Sequence, residues 1–238
     1  IGNQLEEALL RHNRVSRREA RARAIYLLER VGITAAGSRL KQYPHQLSGG
    51  LRQRVMIAMA LMCAPAMILA DEPTTALDVT IQAQILHLLA ELQREFAMGL
   101  VLITHDLGVV ARIATRVVVM YAGEVVETGT AAEIFSNPAH PYTRGLIACI
   151  PVPGRTQRGQ PLGTIPGMVP SLIGKSVGCR FAGRCRHVID ACRRSDVTLE
   201  GVGGGQHLVR CIRHVAPSLV SRPSPKSARA CCRPSPFR

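Results

Sequence analysis

Two short aliphatic runs, Met67-Ile68-Leu69-Ala70 and Leu100-Val101-Leu102-Ile103, each give way to polar residues where they end, Asp71-Glu72-Pro73 after the first and Thr104-His105-Asp106 after the second. Runs of this length without polar alternation read as strands buried on both faces. Between them Ile81, Ile85, Leu88, Leu89, Leu92 and Phe96 recur at helical spacing, with Asp78 placed to cap the helix start. A strand, a long helix and a second strand imply a crossover and parallel pairing. A third run, Val117-Val118-Val119-Met120, follows a short helix, and Gly123 turns the chain into Val125-Val126. The expected fold class is therefore α/β, a mostly parallel sheet flanked by helices. In such sheets the site lies beyond the carboxyl ends of the strands, where Asp71, Glu72 and His105 sit.

Upstream, Ser16-Arg17-Arg18-Glu19 has capping-box spacing and opens a helix whose apolar positions Ala24, Leu27, Leu28 and Val31 stop at Gly32. Its arginines read as a solvated face. Ser48-Gly49-Gly50 opens a further helix to about Cys63. A hydroxyl, unhindered backbone N–H groups and the positive end of the helix dipole there form an anion site, and the same residues also read as an ordinary Ser N-cap. Adjacent carboxylates at a strand end suit metal-assisted phosphoryl transfer, Asp71 on Mg²⁺ and Glu72 on the attacking water. The longest apolar run, Val55 to Ala70, is too short for a bilayer and is interrupted by Pro65, so no transmembrane helix is expected.

Charge divides the chain. Residues 1–150 hold 15 Lys and Arg against 13 Asp and Glu, whereas residues 151–238 hold 15 against 3, so a net +12 lies in the second stretch. That stretch is Gly/Pro-rich to about Ser176 and lacks any apolar period beyond Pro217, where disorder is expected. Of eight cysteines, Cys63 and Cys149 fall in apolar helical patterns and read as buried thiols. Cys179, Cys185, Cys192 and Cys211 lie among Arg180, Arg184, Arg186, Arg193 and Arg194, whose charge would favour the thiolates a metal needs. Without a secretory signal these four are candidates for a metal or cluster, although no CxxC pair is present. Cys231 and Cys232 fall in the expected disordered end.

The ordered set of motifs resembles the ATP-binding subunits of ABC transporters. "LSGGLRQR" at Leu47–Arg54 is similar to their signature, "MILADEP" at Met67–Pro73 to the Walker B strand, "ALD" at Ala76–Asp78 to the D-loop and "ITHD" at Ile103–Asp106 to the switch histidine. "YPHQLSGG", "VMYAGEVVETG" and "HPYTRGL" resemble the dipeptide and oligopeptide importer branch, with nickel importers the nearest rival. The resemblance covers about Gly2 to His214. It implies a partial P-loop NTPase-type nucleotide-binding domain over 1–134 with a helical signature subdomain, a Cys-rich extension over 135–215 and a tail over 216–238. It implies ATP and Mg²⁺ as cofactors and Asp71, Glu72, Asp78 and His105 as site residues, with Asp78 crossing a dimer interface. Similar tails in this branch are associated with an iron–sulfur cluster, so the resemblance implies iron–sulfur or zinc ligation by the four cysteines, with free thiols as the other reading.

No G-x-x-x-x-G-K-[ST] loop precedes these motifs, and the late Gly174-Lys175-Ser176 has Val169 where the first Gly is needed. The family's Q-loop glutamine would lie upstream of Ile1, and Gln4 reads as an ordinary helix residue. A helix N-terminus gives an anion about 0.3–1 kcal/mol, whereas a millimolar ligand needs about 4 kcal/mol. Ser48, Gly49 and Gly50 are therefore expected to complete a site on a partner ATPase chain, in a homo- or heterodimer. The start at Ile1 suggests an incomplete N-terminus and a chain inactive alone. The further expected partners are membrane permease subunits and, indirectly, a substrate-binding protein, with the chain peripheral on the cytoplasmic face of the inner membrane. Alternatives are a non-hydrolysing regulatory partner and a basic, metal-stapled nucleic-acid module, the latter weakened by the lack of aromatic platforms.

Overall fold

In the computed structural model the described residues are 1–75, 77–150, 163–170, 177–203 and 205–213. Ala76, the linker stretches 151–162 and 171–176, and the tail from 214, with Cys231 and Cys232, lie outside them. The chain forms two compact units, one over Ile1–Asp106 and one beginning at Leu107.

The first unit contains α1 (Gly2–His12), α2 (Arg17–Arg30), the short α3 (Ala36–Arg39), α4 (Gly49–Leu61), β1 (Met67–Asp71), α5 (Val79–Glu95) and β2 (Gly99–Ile103). Ser16 and Glu19 form the full capping box at the start of α2, and Gly32 ends that helix region with φ +79°. Leu27, Leu28, Leu61, Ile85, Leu89 and Leu92 are fully buried and join α2, α4 and α5 in one aliphatic core. Gln4 sits on α1 as an exposed helix residue. Not all of the α2 arginines are solvated. Arg23 donates to Met62 O at 2.6 Å and Leu61 O at 3.1 Å, satisfying carbonyls that the end of α4 leaves without helical partners.

β1 and β2 pair in parallel with Met67 opposite Gly99 and Asp71 opposite Ile103. The expectation of strands buried on both faces is corrected here. Ile68 is buried, but Met67 and Leu69 are 54% and 66% exposed, and Val101 and Ile103 are 42% and 50% exposed. Side chains alternate across a strand, so one face of this sheet rests on the helices and the other is uncovered among the described residues. Cys63 is also exposed, one residue beyond the turn of α4, and Cys149 is half-buried at the end of a helix, so neither is the buried thiol expected.

The second unit contains α6 (Leu107–Ile113), β3 (Arg116–Tyr121), β4 (Glu124–Thr130), α7 (Ala131–Ser136), α8 (Pro141–Ala148), α9 (Ala191–Arg194), β5 (Glu200–Gly201) and β6 (Leu208–Val209). Its sheet runs β3-β4-β6-β5 and is antiparallel throughout. The mostly parallel sheet is thus a second correction: parallel pairing is confined to β1 and β2. The reason is local. Ala122 and Gly123 both take positive φ, +49° and +81°, the two-residue turn that folds β3 directly back on β4. Tyr121, Tyr142 and Phe181 meet with centroids 4.7 to 5.4 Å apart and give this unit an aromatic cluster in its core.

Glu127 of β4 ties this unit together. Fully buried, its carboxylate accepts from Ala139 N at 2.6 Å and His140 N at 2.9 Å and bonds His207 Nε2 at 2.7 Å. Two further chain segments, at Ala139-His140 and at His207, are therefore tied to one carboxylate of β4. Next to it, the buried His140 ring is kept neutral, burial pushing its pKa from the ordinary 6.5 down to about 4 against the opposing pull of Glu127. An unfolded chain takes up this proton near 6.5 and the folded one only near 4, so between those values the unfolded state binds more protons. Stability of the second unit should fall as pH drops through that window, by about 3 kcal/mol in all. Hydrogen exchange at the β3 and β4 amides checks this, and His140→Asn should remove the corresponding part of the pH slope.

Candidate functional site

The end of the parallel pair brings two of the anticipated site residues together. Glu72 follows β1 and donates its main-chain N–H to Ile103 O at 2.9 Å, extending the β1–β2 ladder by one bond beyond the strand. His105 follows β2 on the same edge. Its Nδ1 lies 3.1 Å from Glu72 Oε1, and Thr75 Oγ1 donates to Glu72 Oε2 at 2.8 Å. Both carboxylate oxygens are thus engaged. Glu72 also has φ +42°, the left-handed region that costs a non-glycine residue energy and that clusters at functional sites. Thr75 N donates to Glu72 O at 3.1 Å, so the chain reverses at the residue that carries the carboxylate.

The Glu72 side chain is half-exposed and that of His105 largely exposed. The Glu72 pKa is lowered, first by the hydrogen bond from Thr75 and then by that from His105. Glu72 is therefore an ionised hydrogen-bond acceptor at neutral pH. Asp71, the last residue of β1, is exposed beside it. Two neighbouring carboxylates supply the hard oxygen donors Mg²⁺ prefers, and Mg²⁺ commonly takes one or two protein carboxylates together with phosphate oxygens.

Ser48 is the N-cap of α4, its hydroxyl accepting from Leu51 N at 3.4 Å. Ser48 and Gly49 are exposed at this helix start. Gly50 has a packing role that the anion reading missed: a Cβ there would stand 2.9 Å from Ile81 Cγ2, and one on Gly49 would stand 3.4 Å from Leu77 Cδ2. The glycines let α4 approach the first turn of α5. That helix is capped by Asp78, whose Oδ1 accepts from Ile81 N at 2.9 Å, so the Asp78 carboxylate already has a local partner. Thr75 is the functional candidate that sequence reasoning left out. Its signal was its place three residues after Glu72, within reach of that carboxylate across the turn.

In the second unit Cys179, Cys185, Cys192 and Cys211 line a single cavity of about 20 Å³ with His140 and Phe181. Burial raises the pKa of Cys179 and Cys185 and pushes Cys211 up to about 11. The thiolate activation expected from the arginines is thus corrected: Arg180 turns to Ala122 O and Glu124, and Arg184 to Pro166 O, Ile165 O and Tyr121 Oη. Among the described residues no three His, Cys, Asp or Glu side chains are placed to hold a metal ion. Four soft sulfur donors in one cavity fit zinc or iron by type, but the thiols would have to close on an ion to hold it.

Replacing Thr75 by Val and replacing His105 by Ala should each move the Glu72 carboxyl pKa upward, since each removes a hydrogen bond that favours the carboxylate. A pH titration of the Glu72 side-chain carbon signal by NMR reads both shifts.

Residues 3–75 match the ABC transporter family and residues 126–192 the oligopeptide/dipeptide transporter, C-terminal region, family. Over 217 residues the chain is 55% identical to a protein of Brucella melitensis named as a peptide import ATP-binding protein, which covers 90% of this chain and 64% of the relative. It is 54% identical to the dipeptide transport ATP-binding protein DppD of Bacillus subtilis, across 82% of this chain and 57% of that one. With the oligopeptide transport ATP-binding protein OppD of Salmonella typhimurium it shares 49% identity, across 82% and 58%. The chain therefore spans less than two thirds of the length of these relatives. Among solved structures, CbiO1 of Clostridium perfringens, part of the ABC transporter complex CbiONQ, superposes with a TM-score of 0.50 at 31% identity over 56% of this chain and 51% of that one.

Proposed function

Since the chain belongs to the ABC transporter ATP-binding proteins and carries their oligopeptide/dipeptide C-terminal region, we propose that it is an ATP-binding subunit energising a membrane peptide importer. The observation that carries this reading is the contact of Glu72 with His105 at 3.1 Å at the carboxyl edge of the parallel pair. A hydrolytic site needs an ionised carboxylate held where a water can reach it, and Thr75 and His105 orient Glu72 while leaving it half-exposed. Glu72 accepts the proton of the attacking water. His105, hydrogen-bonded to it, adjoins the γ-phosphate, and Asp71 supplies oxygen to Mg²⁺, which neutralises phosphate charge when bound.

Ser48, Gly49 and Gly50 close on ATP held by the P-loop of a partner ATPase chain, with Asp78 at that interface, a reading supported by the exposure of Ser48 and Gly49 at the start of α4. The four cysteines hold zinc or an iron–sulfur cluster, a reading supported by their sharing one cavity. The subunit takes a peripheral place against permease subunits at the cytoplasmic face of the inner membrane, a reading supported by the peptide-import names of its relatives; no helix among the described residues is long and apolar enough to cross a membrane. The burial of Phe181 argues against a base-stacking nucleic-acid surface. Nickel as cargo and a purely regulatory, non-hydrolysing role are the rival readings.

The purified 238-residue chain alone should hydrolyse no ATP. Added to a complete partner ATPase, it should support hydrolysis that Ser48→Arg lowers at least about tenfold by removing a transition-state donor site. Hydrolysis by the chain alone that Glu72→Gln abolishes would overturn the division of labour between the two chains.

A further inference from the structure

His140 carries a hydrogen-bond donor with nothing to receive it. The main-chain N–H of Tyr142 donates to His140 Nδ1 at 3.0 Å. A ring nitrogen that accepts has no hydrogen of its own, so in this ring the hydrogen resides on Nε2. His140 Nε2 is buried with no hydrogen-bond partner among the described residues, and the residue is 1% exposed. His140 lines the cavity together with Cys179, Cys185, Cys192 and Cys211.

Buried N–H groups find an acceptor in the great majority of cases, so the occupant of this cavity has to supply one. The walls offer little. Phe181, Val188, Val197 and Ile212 are apolar, Arg213 can only donate, and His187 is solvent-exposed. A neutral thiol is a weak acceptor. A water of suitable size needs two to four polar partners and would meet one good donor and weak acceptors. A thiolate sulfur is the acceptor the chemistry favours, and a metal is what keeps a buried thiol deprotonated.

We propose that His140 is a positioning residue of a thiolate-bound metal centre in this cavity, its Nε2–H donating a hydrogen bond to a metal-bound cysteine sulfur. This rests on the metal reading of the four cysteines given above. Such outer partners orient the ligands and tune the centre, and their loss typically costs about 10–100-fold in metal affinity.

Asparagine and glutamine separate the two ring nitrogens: the Asn amide reaches the Nδ1 position and can still cap Tyr142 N, whereas the Gln amide reaches Nε2 and can donate into the cavity. The full chain, Cys192→Ser, His140→Asn and His140→Gln are loaded anaerobically with zinc(II) alone or with ferric iron, sulfide and a thiol reductant. Metal retained against a competing chelator is then counted, and circular dichroism verifies the fold. The wild-type chain should retain one of the two loads and Cys192→Ser should lose it. His140→Asn should bind about 10–100-fold more weakly, and His140→Gln should recover most of that. In an iron-loaded protein, His140→Asn should also lower the midpoint potential, because a hydrogen bond to sulfur favours the reduced state. Retention of neither load by wild type would overturn the metal reading and this inference together. Retention by wild type with equal affinity in His140→Asn, or equal weakening by Asn and Gln, would overturn this inference alone.

Discussion

The bond from Glu72 N to Ile103 O, 2.9 Å long, falls just after the last paired residues of β1 and β2 and fixes where both strands release the chain. Were that bond absent, the turn after Asp71 would be free to open, and Glu72 and His105 would hang on independent loops. With it in place the two side chains share one edge, and the left-handed conformation of Glu72 aims its carboxylate at His105 and Thr75 together. The strain is supported on both sides: the ladder bond holds the N–H of Glu72, and Thr75 N occupies its carbonyl.

What could be read from the residues beforehand followed periodicity and caps. The α2 box, the Asp78 cap and the α5 stripe are local signals, and each sits within a residue or two of its expected place. Asp71, Glu72 and His105 were legible because strand ends collect chemistry in α/β sheets. The burial of β1 and β2 was not, since an aliphatic run fits a strand covered on one face as well as one covered on both, and Leu69 and Val101 carry no mark of which face stays bare. Sheet direction beyond β2 departs from the expectation because the turn at Gly123 is a two-residue hairpin, Ala122-Gly123, that pairs β4 antiparallel to β3. The Thr130–Glu133 capping box that opens α7 is a local signal of the same kind.

The cysteine region shows how burial can outweigh neighbouring charge. Arginines adjacent in sequence to Cys179 and Cys185 suggested activated thiols, yet folding sends Arg180 and Arg184 to backbone carbonyls and leaves the sulfurs in an apolar pocket. Sequence proximity counts residues, whereas electrostatics counts distance and dielectric. The same packing that quiets the thiols also strands the Nε2 hydrogen of His140, a feature no linear reading of "HPYT" could show.

The carboxylate of Glu127 bonds groups of unequal replaceability. If His207 changes, Glu127 still has two main-chain N–H donors from Ala139 and His140. If Glu127 changes, those two donors and an imidazole lose their acceptor at once. The route by which this region can vary is therefore one-way: the histidine can be exchanged first and the glutamate only after its partners have found other acceptors. The short β6 strand, through Arg210 N on Val126 O, keeps the segment in register while such exchanges occur. Order of substitution, and not merely tolerance at each position, is written into this corner of the fold.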